Sequence, residues 1–251
     1  MTERFTGRTA LVTGSTTGLG AAIATTLAAE GAFVVVGGRD ERRGAEVVAR
    51  IEKDGGAAAF VGADLSGGAD VIRRFAADAL DAAGGRIDIL VNNAALLLAP
   101  TPTADVPQET IDQALAVSVR SVFLLTGLLA PPMAERGHGT VVNLGSINGL
   151  RGSAHSALYS MTKAAVHSLT MSWAAEYGPH GVRVNTVAPG PTLTEKVAAM
   201  EEHLAPILTR MPARRGGTPA EVAAAVAFLA SDEASHIHGA TLTVDGGYTA
   251  V

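Results

Sequence analysis

The sequence contains no cysteine. That excludes disulfides, thiolate nucleophiles and cysteine-held metals, and it suits a reducing compartment such as the cytoplasm. Aromatic residues are scarce, 4% of 251. The 47% of residues that are hydrophobic are therefore mostly alanine, valine, leucine and isoleucine, which suits small-residue helices lying close on valine-rich strands. Charge is also scarce, 17% of residues with a net charge of -5 at pH 7. A mildly acidic chain gains little from counterion release on a polyphosphate, which argues against a nucleic-acid partner. Residues 1–5 include Glu3 and lead into no apolar stretch, so no signal peptide is expected. No apolar run is expected to be long enough to span a bilayer. No linker, repeat or low-complexity tract interrupts the chain.

What is present is alternation. Short apolar runs predict strands at 9–12, 33–36, 58–61, 87–92, 140–144, 182–187 and 242–244. Longer stretches between them predict helices at about 19–30, 41–54, 69–83, 108–130, 156–177 and 219–230. Continuous apolar strands separated by helices indicate a parallel sheet covered on both faces. The expectation is one α/β domain over residues 1–251, a doubly wound parallel sheet of about seven strands with helices on both faces. The regular alternation breaks at about 190–217, where Pro191, Pro206 and Pro212 fall. An insertion of this kind is expected to cover a substrate.

Thr13-Gly14-Ser15-Thr16-Thr17-Gly18-Leu19-Gly20 follows the first strand and opens the first helix. Glycines there allow tight turning and close approach of a diphosphate, and the helix N-terminus offers free N–H groups to it. A ligand-free glycine turn is the blander alternative. The spacing Gly-x3-Gly-x-Gly resembles the short-chain dehydrogenase/reductase family, in its main branch of about 250 residues, and further matches follow along the whole chain. The resemblance implies a Rossmann-like, nicotinamide-dependent oxidoreductase. Gly14, Ser15, Thr17, Gly18, Leu19 and Gly20 would then hold the cofactor. So would Asp64 and Leu65 after the third strand, Asn92 and Ala94 after the fourth, and Pro189, Gly190, Thr192 and Thr194 after the sixth. Ala95 stands where the family has glycine.

The second strand ends in Gly38, followed by Arg39 and Asp40. A carboxylate at that tip selects the ribose hydroxyl of NAD, whereas an arginine grips the extra phosphate of NADP. Arg39, with Arg42 and Arg43 nearby, predicts a preference for NADP(H), with NAD(H) possible.

Tyr159 and Lys163 are four residues apart in a predicted helix and share a face. A phenol near pKa 10 is a poor acid–base catalyst at neutral pH. A cation about 4 Å away is worth roughly 4 kcal/mol at an effective dielectric near 20, or about 3 pK units at most. Lys163, with an oxidised nicotinamide, is therefore expected to bring Tyr159 into the working range as general acid or base. By resemblance Ser146 stabilises the substrate oxygen and Lys163 also holds the nicotinamide ribose. Ser118 falls where the family has a catalytic asparagine, which organises a kinked helix and a water relay. His155 and His167 are read as structural, and no metal site is expected.

The expected pocket is apolar: Leu97, Leu98, Ile147, Asn148, Leu150, Pro191, Leu193, Val197, Met200 and Leu204, with Leu97, Ile147, Asn148 and Leu193 the leading substrate contacts. No arginine is clearly placed to clamp a substrate carboxylate, although Arg151 could reach. The partner is thus a small carbonyl or alcohol, handled by reversible hydride transfer, with reduction the expected direction. By resemblance the late segments 228–232 and 244–247, and the apolar face of 156–177, pack subunits into a homotetramer. A dinucleotide-binding regulatory protein without turnover is the rival, favoured by Ala95 and Ser118.

Overall fold

The computed structural model describes residues 3–194 and 207–251. Its strands are β1 Thr9–Thr13, β2 Phe33–Gly38, β3 Ala57–Gly62, β4 Ile89–Asn92, β5 Gly139–Leu144, β6 Val182–Pro189 and β7 Thr241–Val244. The helices are α1 Gly18–Ala29, α2 Glu41–Lys53, α3 Ala69–Ala82, α4 Gln108–Leu115, α5 Ser121–Glu135, α6 Ala157–Tyr177 and α7 Pro219–Ala230. The strands form one sheet in the order β3-β2-β1-β4-β5-β6-β7, with every pairing parallel. The expected architecture is present.

Alternate side chains along each strand enter different cores. Val12, Val34 and Val36 join Leu27 of α1 and Val226 of α7 on one face. Leu11 and Val35 join Phe75 of α3 and Leu125 of α5 on the other. Burial on both faces explains why the strands read as unbroken apolar runs. α7 begins with a capping box: the Thr218 hydroxyl accepts from Glu221 N, and the Glu221 carboxylate accepts from Thr218 N at 2.8 Å. Such caps typically contribute about 1 kcal/mol.

The helix expected at 108–130 differs in two ways. A π-helical turn, Ala116–Arg120, separates α4 from α5. The helix also runs through Pro131 and Pro132 to Glu135. An interior proline costs about 3 kcal/mol, but the buried stripe Leu125, Leu129 and Met133 continues past both prolines and holds the last turn in place. Contrary to expectation, the combined run Gln108–Glu135 is long and apolar enough, by length and composition, to cross a membrane. Half of that window is buried inside the protein, as in the core helix of a sheet-based fold.

The strand order reverses between β1, which leads outward to β2, and β4 on its other side. The chains leaving their C-terminal ends must part there, opening a crevice at the switch point.

Candidate active site

The turn from β1 into α1 forms the floor of that crevice. Gly14 and Gly18 have φ of +63° and +56°, the region that favours glycine. A Cβ on Gly14 would also lie 2.9 Å from Ala94 Cα. Gly20 is needed for a different reason: its Cβ would come within 2.3 Å of the Gly14 carbonyl oxygen and 2.5 Å of Asn93 Nδ2. The N-cap of α1, Thr17, makes no side-chain cap bond. The first N–H groups of α1 therefore face the crevice with the positive end of the helix behind them. Asn93 Nδ2 donates to Thr13 O at 2.8 Å and Gly14 O at 3.0 Å, locking the turn to the loop after β4.

Two expected cofactor contacts lie elsewhere. Ser15 spends its hydroxyl on Val12 O at 2.7 Å and its N–H on Gly37 O at 2.9 Å, so it braces β1 against β2. Asn92 is buried and donates to Asn143 Oδ1 at 2.9 Å and Thr126 Oγ1 at 3.2 Å. Asn143 in turn donates to Thr170 Oγ1. Asn92 thus ties β4 to β5 and α5, and Asn93 lines the crevice in its place.

One end of the crevice is a cavity of about 360 Å³ whose rim includes Thr16, Thr17, Arg39, Arg43, Asp64 and Leu65. The Arg39 guanidinium lies 4.0 Å from the Asp64 carboxylate, and both are exposed. Asp64 Oδ1 accepts from Ser66 N and Oγ. These bonds, with Arg39, hold its carboxyl below the ordinary value. Asp40 also borders this cavity, but its carboxylate caps α2 by accepting from Arg43 N at 3.0 Å, with Arg43 Nε 3.5 Å away.

The other end is a chamber of about 600 Å³ that brings Ser146, Tyr159 and Lys163 together. Ser146 follows β5, and the other two lie one turn apart on α6. Lys163 is 5% exposed, and its Nζ donates to Leu144 O at 2.8 Å. Burial lowers its pKa to about 8. The Lys163 Nζ lies 5.7 Å from the centre of the Tyr159 ring. Burial pushes the Tyr159 phenol above its ordinary value, and a hydrogen bond with Ser146 opposes this. The expected lowering of the phenol is therefore absent from the chain by itself: desolvation outweighs the hydrogen bond with Ser146.

His167, a further turn along α6, places Nε2 3.0 Å from Ser146 O and Nδ1 3.1 Å from Thr241 Oγ1. A carbonyl can only accept, so Nε2 carries the proton. Burial, and to a smaller degree Lys163, lowers the His167 pKa, opposed by the Ser146 carbonyl. The ring fills the space under Gly145 and Gly149, whose Cβ atoms would meet it at 2.5 and 2.6 Å. His167 is thus the structural residue expected from the sequence, packed beneath the Ser146 loop.

The chamber wall also includes Leu97, Leu98, Ile147, Asn148, Pro191 and Thr194. Three expected contacts fall otherwise. Leu193 packs over Gly216 and borders a separate depression with Thr17 and Gly18. Leu150 is 47% exposed and does not line the chamber. Ser118 lies buried in the π turn, where its hydroxyl accepts from Leu96 N at 3.1 Å. It steadies the loop after β4, and no hydrogen bond joins it to Tyr159 or Lys163 among the described residues. Val197, Met200 and Leu204 lie outside the described residues. Ala95 lines both cavities with an ordinary negative φ, so an alanine in place of glycine carries no strain there. Chamber residues not singled out from sequence include Tyr248, which follows the Gly246-Gly247 turn, Ile207, Pro100 and the 152–154 stretch after Arg151. No cluster of three metal-ligating side chains occurs among the described residues.

A family model described as Enoyl-(Acyl carrier protein) reductase matches residues 14–249. The chain is 41% identical over 252 residues to cis-4-hydroxycyclohexanecarboxylate dehydrogenase of Sinomonas cyclohexanicum, covering all of both chains. It belongs to the short-chain dehydrogenase/reductase family. Cyclopentanol dehydrogenase of Comamonas sp. is 38% identical, with 98% of this chain and 99% of the relative covered. A solved structure of a short chain dehydrogenase/reductase family protein superposes with a TM-score of 0.89 at 42% identity, covering 99% of this chain and all of that one. Another, from Agrobacterium tumefaciens with bound NADP, is 35% identical with a TM-score of 0.88 and covers 99% of each chain. This short-chain dehydrogenase/reductase is thus an oxidoreductase of alcohol and carbonyl groups that draws on a nicotinamide cofactor.

Proposed function

We propose that the protein is an NADP(H)-preferring oxidoreductase that interconverts a ring ketone and its secondary alcohol. The observation that carries this is the convergence of Ser146, Tyr159 and Lys163 in one chamber that continues into a glycine-floored crevice. That crevice fits a dinucleotide: a Cβ on Gly14 would collide with Ala94, and the start of α1 is left open. Gly14, Thr17, Gly18, Leu19 and Gly20 would take the diphosphate, with Arg39, Asp64, Leu65 and Ala94 around the adenosine. Pro189, Gly190, Thr192 and Thr194 would hold the nicotinamide end. The cofactor supplies or accepts the hydride.

The chain's own residues manage the oxygen of the substrate. Ser146 donates to it and stabilises charge as it develops. Tyr159 Oη gives up its proton in reduction and recovers it in oxidation. Lys163 holds the nicotinamide ribose and, when charged, favours the phenolate. A preference for NADP rests on Arg39 and Arg43 bordering the adenosine cavity, where the acid at the β2 tip, Asp40, is spent on capping α2 and on Arg43. The relatives named for cyclopentanol and cis-4-hydroxycyclohexanecarboxylate both name a ring carbinol, which supports the substrate class.

A cytoplasmic setting accords with the absence of cysteine. A homotetramer accords with apolar side chains left exposed on neighbouring helices, Phe123 at 53%, Met161 at 48% and Met171 at 59%; light scattering measures it directly. The deciding experiment follows nicotinamide absorbance with NADPH or NADH over a panel of ring ketones, and with the oxidised cofactors over the alcohols. Turnover with higher kcat/KM for NADPH is expected. Cofactor binding without turnover of any compound would defeat the proposal in favour of a regulatory protein.

A further inference from the structure

The chamber's charge is one-sided. Its described wall includes two cations, Arg151 and Lys163, and no carboxylate. Lys163 is committed to the Leu144 carbonyl and to Tyr159. Arg151 has no ion pair among the described residues. It is half-buried at the end of the loop that starts at Ser146 and passes through the short 3-10 turn Ile147–Gly149.

What holds Arg151 is a ring. Its guanidinium carbon lies 4.4 Å from the centre of the Tyr248 ring. A cation–π contact of this kind spends none of the guanidinium N–H donors, and Arg151 makes no hydrogen bond among the described residues. Tyr248 is itself fixed. The buried Asp245 carboxylate accepts from Gly247 N, Thr249 N and Thr249 Oγ1 at 3.0, 2.8 and 2.6 Å, which closes the turn that carries the tyrosine. The nearest acid along the chain is thereby spent on its own loop. That turn packs on Gly190, where a Cβ would lie 2.8 Å from Asp245 Cα. A planar cation held against a ring, with unspent N–H donors in an otherwise largely apolar chamber, is suited to a planar anion.

We propose that Arg151, held on Tyr248, receives a carboxylate carried by the substrate, so that the ring ketone or alcohol handled here is a ring acid. This rests on the redox function proposed above and adds a specificity-determining residue to it. The carboxylate would take two N–H bonds from the guanidinium edge and fix the ring in the chamber with its carbinol carbon toward Tyr159.

The test compares kcat/KM for 4-oxocyclohexanecarboxylate with that for its methyl ester, using cyclohexanone as a neutral reference and NADPH absorbance as readout. The wild-type protein is expected to prefer the acid by at least about tenfold, or about 1.4 kcal/mol. Arg151→Leu is expected to bring that ratio close to one, mainly through KM of the acid. Arg151→Lys should keep part of it, and Tyr248→Leu should lower it more than Tyr248→Phe. A ratio within one protein is insensitive to the fraction that folds. Equal turnover of acid and ester by the wild type would overturn the inference while leaving the redox function intact. So would an acid preference that survives Arg151→Leu. Turnover of none of the three ketones would defeat the redox function, and the inference with it.

Discussion

The two ends of the crevice handle charge in opposite ways. At the adenosine end Arg39 and Asp64 are 67% and 54% exposed. Solvent screens such groups, and each can be changed at little cost to the fold. At the reaction end Lys163 is 5% exposed, and desolvation alone moves its pKa to about 8. The first region can tune which cofactor binds without touching the chemistry. The second keeps a cation where the fold would be better off without it, which is the mark of a group retained for function.

The largest expected effect lies at the buried end. Tyr159→Phe removes the phenol hydrogen-bonded with Ser146 and should lower turnover by about 10³-fold, within the range for loss of a general acid. Cofactor binding, read by fluorescence titration, should stay near the wild-type value. Turnover close to wild type in a folded sample would break the proposed chemistry.

Lys163→Met comes next and should cost about 10²-fold in turnover. Its effect on stability runs the other way. The Lys163 pKa is depressed from 10.5 to about 8, so between those values the unfolded chain binds more protons and wild-type stability rises with pH. Below pH 8 the buried cation carries its full penalty, about 3 kcal/mol at most. Denaturant melts of the wild type should therefore strengthen from pH 8 toward 10, and the Lys163→Met variant should lose that slope. A parallel pH dependence in both proteins would show that the ammonium is not desolvated in solution.

A smaller effect is expected at the exposed end. Arg39→Ala should reduce the NADPH-over-NADH ratio of kcat/KM by about tenfold, since a charge-assisted bond to phosphate is partly screened there. The melting temperature should barely change. An unaltered cofactor ratio would leave Arg43 as the residue to examine.

The sheet was legible because parallel strands buried on both faces must be apolar throughout. Eight of its limits moved by a residue or two where caps and turns decide them. β4 begins at Ile89 and not at residue 87, because Asp88 turns its carboxylate to accept from Thr9 N at 3.0 Å. The π turn was not legible, since helical periodicity does not register one extra residue per turn, and the prolines were misleading because tertiary burial outweighed them. Within the site, motif spacing located the turn and the Ser146, Tyr159 and Lys163 set. It could not say which atoms were already spent, and so Ser15 and Asn92 turned out to be braces. Arg151 and Tyr248 lie far apart in sequence, and only the packing of the final turn on Gly190 joins them.

Ser118→Asn is the mildest change and separates position from chemistry. If residue 118 acts only by holding the loop after β4, an asparagine Oδ1 can replace the serine hydroxyl as acceptor for Leu96 N. Turnover should then be preserved or raised. The added volume at a site 3% exposed should cost about 1–2 kcal/mol, read as a lower denaturation midpoint. Ser118→Ala makes the opposite probe, since it leaves the Leu96 N–H without its partner and loosens a loop that borders both cavities. Its effect should appear as a higher KM for cofactor and substrate together, with kcat held. A large loss of kcat in either variant, with folding intact, would place residue 118 in the proton path and extend the buried, charge-shifting region one helix beyond α6.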